Sequence, residues 1–249
     1  MRNTITFFSL LFFTINFYSQ KNYKIIYKID PINLLENNES YSRNKSVKIT
    51  KIIKGVIKET KKRRFILIAN SEASYFLEKK KINTDFENKS NELFSRLSKL
   101  ITAFNEKVYT NYNNQNLFFT RSLLGTNYNV YKETFYNFNW NITEEEKIIN
   151  GLKALKAIGS YHDIIRGKDF EIIAWFIPSI PIPAGPDIYL GLPGLVGELH
   201  LSRAIVTIDS VELTSEKLEK PEFDNALTYK EYEDFVSKGN EKIDEYIEN

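Results

Sequence analysis

From Lys21 the chain alternates: Tyr23, Ile25, Tyr27 and Ile29 fall on one side, Lys24 and Lys28 on the other. That period of two predicts a half-buried β-strand, which Pro31 ends. "RRFILIAN" and "ASYFLEKK" read as two further strands joined at Asn70–Ser71. In "NKSNELFSRLSKLITAFNEK" the spacing changes to threes and fours. Leu93, Leu97, Leu100, Ile101 and Phe104 then share one face of a helix that Ser90 or Asn91 caps. Strand patterns return in "KVYTNYN", "NLFFTRSLL" and "YNVYKETFYNF", with Asn pairs as turn material between them.

Gly151 predicts a turn between two strands, and "DFEIIAWFI" and "SRAIVTIDSVEL" are rich in the β-branched and aromatic residues that strands favour. "GLKALKAIG" fits helix or strand, because Leu, Lys and Ala are good helix formers. The last stretch, from about residue 222 to 249, reads as a charged amphipathic helix. The pattern as a whole predicts a mainly antiparallel β protein of the α+β class with one or two helices. The expected shape is a curved sheet or half-open barrel packed on a helix.

Between Ile177 and His200 the periodicity breaks down. Pro178, Pro181, Pro183 and Pro186 fix φ and remove backbone donors, so a stiff strap is expected there. Pro193–Gly194 suits the centre of a type II turn, and Gly191 permits a positive φ. From Leu195 a strand resumes, with Leu195, Leu199 and Leu201 facing one way and Val196, Glu198 and His200 the other. The strap is either a corner that fixes sheet register or a preorganised groove for a peptide, lipid or glycan. Phosphate binding is excluded, since no Lys-Ser/Thr follows the glycines and no helix opens after them.

Composition narrows the chemistry. The 249 residues carry a formal charge of +2, which does not suggest a nucleic-acid partner. There is no cysteine and there are two histidines, His162 and His200, so thiolate chemistry and a His-rich metal site are excluded and no cofactor is expected. The run from Lys45 to Arg64 is strongly basic with the single acid Glu59. It reads as a solvated face or a patch for anionic lipid or polysaccharide. At the N-terminus, Arg2 precedes an apolar run from Ile5 to Phe17 of signal-peptide length. Residues 1–19 are expected to be a signal peptide and 20–249 a single mature domain, exported to the periplasm or outer membrane or secreted.

"AWFIPSIPIPAGPDIYLGLPGLV" resembles the GLPGLI family of exported Gram-negative proteins. The residues that carry the resemblance are Trp140 and Ile142, then Gly151, Lys156 and Ala157, then Ala174, Trp175 and Phe176. Pro181, Gly185 and Pro186 follow, with Gly191, Leu192, Pro193, Gly194, Leu195 and Val196 at the end. Ala154 stands where many members have Cys, and Val196 replaces Ile. The resemblance implies export and a β architecture but no activity, because the family has no agreed biochemical function.

No catalytic set stands out. Glu198 and His200 share a strand face and are the one acid–base pair that suits an envelope hydrolase. His162–Asp163 beside a turn is expected to be solvated. Asp169 and Glu171 share a face as a glycosidase pair does, although a productive carboxylate pair usually flanks a cleft from separate elements. Serines occur in no nucleophile-elbow context. The reading favoured is a non-catalytic binding or accessory protein for an apolar or extended ligand, or a structural component of a surface complex. Partners would be outer-membrane or other envelope proteins, a lipid or a glycan. The candidate binding residues are Trp175, Pro181, Gly185, Pro186, Gly191, Leu192, Pro193, Gly194, Leu195, Glu198 and His200.

Overall fold

The computed structural model describes residues 22–34, 47–79, 89–123, 125–164 and 167–248. The segment expected to be a signal peptide and most of the polar stretch after Pro31 lie outside the described residues. So do the side chains of Ser90 and Asn91.

Six strands form a first antiparallel meander: β1 (Asn22–Pro31), β2 (Arg64–Ala69), β3 (Ala73–Glu78), β4 (Lys107–Asn111), β5 (Asn116–Leu123) and β6 (Thr126–Lys132). Five more form a second: β7 (Asn141–Ile149), β8 (Leu152–Asp163), β9 (Lys168–Ile177), β10 (Leu195–Leu201) and β11 (Ala204–Thr214). The first strand of the first meander pairs with the last strand of the second, β1 with β11, so one sheet runs through both. The two-residue strand β12 (Leu227–Thr228) adds a parallel partner to β6.

The expected half-open barrel and one or two helices are therefore corrected. The sheet is a single mixed sheet of twelve strands whose edges, β12 and β7, do not meet, and the helices number three among the described residues. The extra helix is α1 (Val47–Lys62), formed by the basic stretch. Its lysines fall on one side while Val56, Glu59 and Thr60 are buried on the other. The strap between β9 and β10 adds to the core, bonded to β10 and, through Asp187, to Asn105 before β4. Ile180, Ile182, Ala184, Ile188, Tyr189 and Leu192 are all buried there.

Local chemistry accounts for the turns. Asn150 and Gly151 both have positive φ, 48° and 76°, and Ile149 pairs with Leu152 across them. That is the two-residue Asn-Gly hairpin whose twist matches paired strands. The Asn70 side chain accepts from the amides of Glu72 and Ala73 and closes the β2–β3 loop. At the start of α3 (Tyr229–Glu248), Thr228 and Glu231 bond reciprocally as a capping box.

The helix α2 (Lys89–Thr102) turns a different face inward than its leucines suggest. Ser98 and Ile101 are buried and Phe94 and Leu97 half-buried, whereas Leu93 and Leu100 are 47% and 59% exposed. Arg63 ties this layer together. It forms two parallel bonds to Glu78, at 2.8 and 3.0 Å, donates to the Ser98 carbonyl, and lies over the Phe65 ring. Its side chain is 5% exposed. Removing one partner of a buried charge pair leaves the other poorly satisfied, so Arg63→Ala is expected to lower stability by about 3 kcal/mol or more in urea unfolding. Arg63→Met, which keeps the stem, should lose less.

Candidate functional site

The strap is anchored at many points. Leu195 donates to the Ile180 carbonyl, Val196 to Ala184, Gly191 to Pro183, and the Trp140 indole to Leu190. The buried Tyr27 hydroxyl donates to the Val196 carbonyl at 2.7 Å. Gly185, Pro186, Leu192, Gly194 and Leu195 are interior, while Pro181, Gly191 and Pro193 are exposed on the outer side of the corner. The residues of the motif therefore do not line one common surface.

Within this strap sits one acid that composition alone does not single out. Asp187 is 5% exposed and has φ +57°, a left-handed conformation that is uncommon outside glycine. It is the first central residue of a turn closed by the Tyr189 amide on the Pro186 carbonyl. Its Oδ1 accepts from the amide and the side-chain nitrogen of Asn105, at 3.1 and 2.8 Å. Burial pushes its carboxyl up to about 6, against the smaller opposing pulls of Arg121 and of the hydrogen bonds from Asn105. Backbone strain joined to a raised acid in a recess is the combination found at functional sites.

Asp187 lines a recess of about 60 Å³, room for a few waters. Five parts of the chain converge on it. The end of α2 supplies Thr102 and Ala103, and β5 supplies Arg121. Tyr161 and Asp163 come from β8, Phe170 from β9, and Ser202 and Arg203 from the β10–β11 turn. Arg121 donates to the Ala103 carbonyl. The Thr102 hydroxyl is buried with no hydrogen-bond partner. A smaller neighbouring recess shares Arg121 and Tyr161 and adds Asn105, Tyr136, Tyr229 and Tyr232. Burial raises the hydroxyls of Tyr136 and Tyr161, and that of Tyr229 to about 12, so all three remain protonated donors at neutral pH. Tyr189 packs on Phe104, Phe138 and Tyr161 and joins the two halves of this aromatic lining.

Glu198 and His200 lie elsewhere, on the outer face of the second meander. Val196 pairs with Phe176 but Glu198 with Trp175, so Gly197 is an extra residue that reverses the alternation. Val196 and Leu199 therefore share the inner face, and Glu198 and His200 the outer one, which corrects the simple alternation. The His200 ring and the Lys147 ammonium both bond Glu198 Oε1 at 2.5 Å, and Lys147 lies 4.3 Å from the centre of the Trp175 ring. Burial would raise the Glu198 carboxyl, but the bonds from His200 and Lys147 outweigh it and hold it at about 2. A carboxylate so held is a poor proton acceptor. No cluster of three metal-ligating side chains occurs among the described residues. His162 and Asp169 pair at 2.8 Å but are 58% and 77% exposed.

Sequence reasoning passed over Asn105, Arg121, Tyr161 and Asp187. The signal for Asp187 was present: it is a lone carboxylate directly after Pro186 in an otherwise apolar run.

A family model described as "Protein of unknown function (Porph_ging)" matches residues 125–198, under a third of the chain. The matched span holds β6 to β9, the strap with Asp187 and the start of β10, but not Arg121 or Arg203. No curated protein matches the chain. Among solved structures the chain is similar to "Structure of PNGF-II in C2 space group", at 17% identity and a TM-score of 0.49. That similarity covers 88% of this chain and 33% of the other, so the chain spans about a third of that structure's length.

Proposed function

We propose that the chain is an exported cell-envelope protein of the GLPGLI kind that binds an extended, hydroxyl-rich ligand such as a glycan, without catalysing its conversion. The observation that carries this reading is Asp187, held buried and left-handed against Asn105 in a recess that Tyr161 and Tyr189 also line. Export rests on the apolar run Ile5–Phe17 behind Arg2.

The lining favours a neutral polar ligand over a charged or apolar one. An anion would meet Asp163 and Asp187, and a cation would meet Arg121 and Arg203. A hydroxyl both donates and accepts, so it suits carboxylates and guanidiniums side by side. Tyrosine rings offer flat apolar faces for the carbon-bound hydrogens of a sugar. At about 60 Å³ the recess admits a hydroxyl or hydroxymethyl arm rather than a whole ring or a lipid chain. An extended ligand would insert one arm and run across the neighbouring recess along Arg121 and Tyr161. No helix of the described residues is long and apolar enough to cross a membrane.

Titration calorimetry against neutral oligosaccharides (maltoheptaose, chitohexaose, cellohexaose) tests the site. At least one should bind, and Arg121→Gln with Arg203→Ala should weaken it about tenfold or more, the loss of one to two charged hydrogen bonds. Absence of binding by every sugar, or equal binding by the folded double variant, sinks the assignment of this recess. Export is tested separately, by fractionating cells that express the full chain.

A further inference from the structure

We propose that the outer surface of the α1–α2 layer docks on an anionic lipid bilayer, independently of what the recess binds. On α1, Lys51, Lys54, Lys58 and Lys61 recur at intervals of three and four, with Lys62 beside them, and all five are exposed. That spacing is one stripe of a helix, opposite the side that buries Val56, Glu59 and Thr60. Lys61 pairs with Asp30 and Lys62 with Glu59. Lys51, Lys54 and Lys58 form no ion pair among the described residues.

The neighbouring helix supplies the apolar half. Leu93, Arg96 and Leu100 recur at three and four on α2 and face away from the core, the leucines 47% and 59% exposed. The two helices lie side by side, because a Cβ on Gly55 would stand 2.6 Å from the Phe94 ring. Among the described residues of α2 and its flank, the surface acids are Glu92, paired with Arg96, and Glu106, paired with Lys99. Among the described residues, Lys51, Lys54 and Lys58 of the stripe are therefore left uncompensated.

A row of lysines alone would suit any polyanion. Two outward leucines beside it need an apolar phase to enter, and a bilayer with anionic headgroups supplies both. The leucines thus decide for lipid over a soluble acidic polysaccharide. Each lysine held near an anionic surface strengthens binding roughly fivefold, and each weakens as salt shortens the screening length.

The test is sedimentation of the full chain with vesicles of phosphatidylglycerol and phosphatidylcholine, and with phosphatidylcholine alone. All variants carry the same N-terminal apolar segment, so differences between them report the helices. Binding to the anionic vesicles is expected, with a loss of at least about thirtyfold in Lys51→Glu/Lys54→Glu/Lys58→Glu. A loss of about tenfold is expected in Leu93→Ser/Leu100→Ser. Every altered side chain is exposed, so unchanged circular dichroism melts should accompany these losses. The chain has no cysteine, so Leu100→Cys carrying an environment-sensitive dye should shift to the blue with anionic vesicles. Equal binding of wild type and the leucine variant to dextran sulfate, with no dye shift on vesicles, would assign the stripe to a polyanion and overturn the proposal. So would vesicle binding that ignores the charge reversals.

Discussion

Gly185→Ala is expected to leave little or no folded protein. A Cβ at that position would stand 2.0 Å from the Tyr189 carbonyl oxygen and 2.9 Å from Val196 Cγ2. Neither neighbour can retreat cheaply. The Tyr189 amide is bonded to Pro186, and the Val196 amide is bonded to Ala184 at 2.8 Å. Relief would require the strap to lift from β10, exposing the apolar residues packed beneath it. The loss should exceed about 4 kcal/mol, a large share of the 5–15 kcal/mol that holds a typical domain together. Gly194→Ala should behave similarly, because its Cβ would meet the Ile177 carbonyl oxygen at 2.5 Å. Gly191→Ala is the contrast. Gly191 has φ +94° but nothing within 4 Å of an added Cβ, so only backbone strain of about 1–2 kcal/mol is expected. Soluble yield and urea midpoints of the three variants decide the matter. If Gly191→Ala unfolds the protein as thoroughly as Gly185→Ala, close backbone packing is not what these glycines serve. The expected order makes the glycine- and proline-rich stretch a corner first, with function confined to the acid it presents.

Much of the sheet was legible because strand alternation is a local signal. Ile25, Tyr27 and Ile29 alternate in sequence and are buried as read. What failed depended on partners far away in the chain. Closure of the sheet turns on whether β7 and β12 find each other, and no local pattern encodes that. The leucines of α2 looked like its buried face, yet Phe94, Ser98 and Ile101 face inward because Arg63 claims the Ser98 carbonyl and Gly55 makes room for Phe94. At β10 a single extra residue, Gly197, moved Val196 to the other side of the sheet, as any one-residue slip does. The candidate site was harder still. Asp187, Arg121, Tyr161 and Arg203 come from four separate elements, each ordinary in its own context, and only their convergence makes a recess.

Asp187→Asn is expected to make the protein more stable at pH 8 while removing ligand binding. The carboxyl has an ordinary value of 3.8 and is raised to about 6 in the fold. The folded state therefore holds this proton more tightly than the unfolded chain does. Stability from this group is fully present below about pH 4, falls as pH rises towards 6, and stays low above it. The difference corresponds to roughly 3 kcal/mol at pH 8, nearly absent at pH 4. Asparagine removes the ionisation, keeps an oxygen to accept from Asn105, and tolerates the left-handed φ at least as well. Urea unfolding of wild type and variant at both pH values measures this directly. Parallel curves at pH 4 and pH 8 would mean that Asp187 does not titrate in this range. A variant less stable at pH 8 would mean that the ionised carboxylate is a net stabiliser, and the case for a strained functional acid would fall. The expected gain has a further implication. An aspartate that costs stability where asparagine would not is placed for something other than stability, and binding is the role its recess offers. Calorimetry with the oligosaccharide that binds wild type should then show at least about a tenfold loss in the stabilised variant, since a charged hydrogen bond to the ligand is gone.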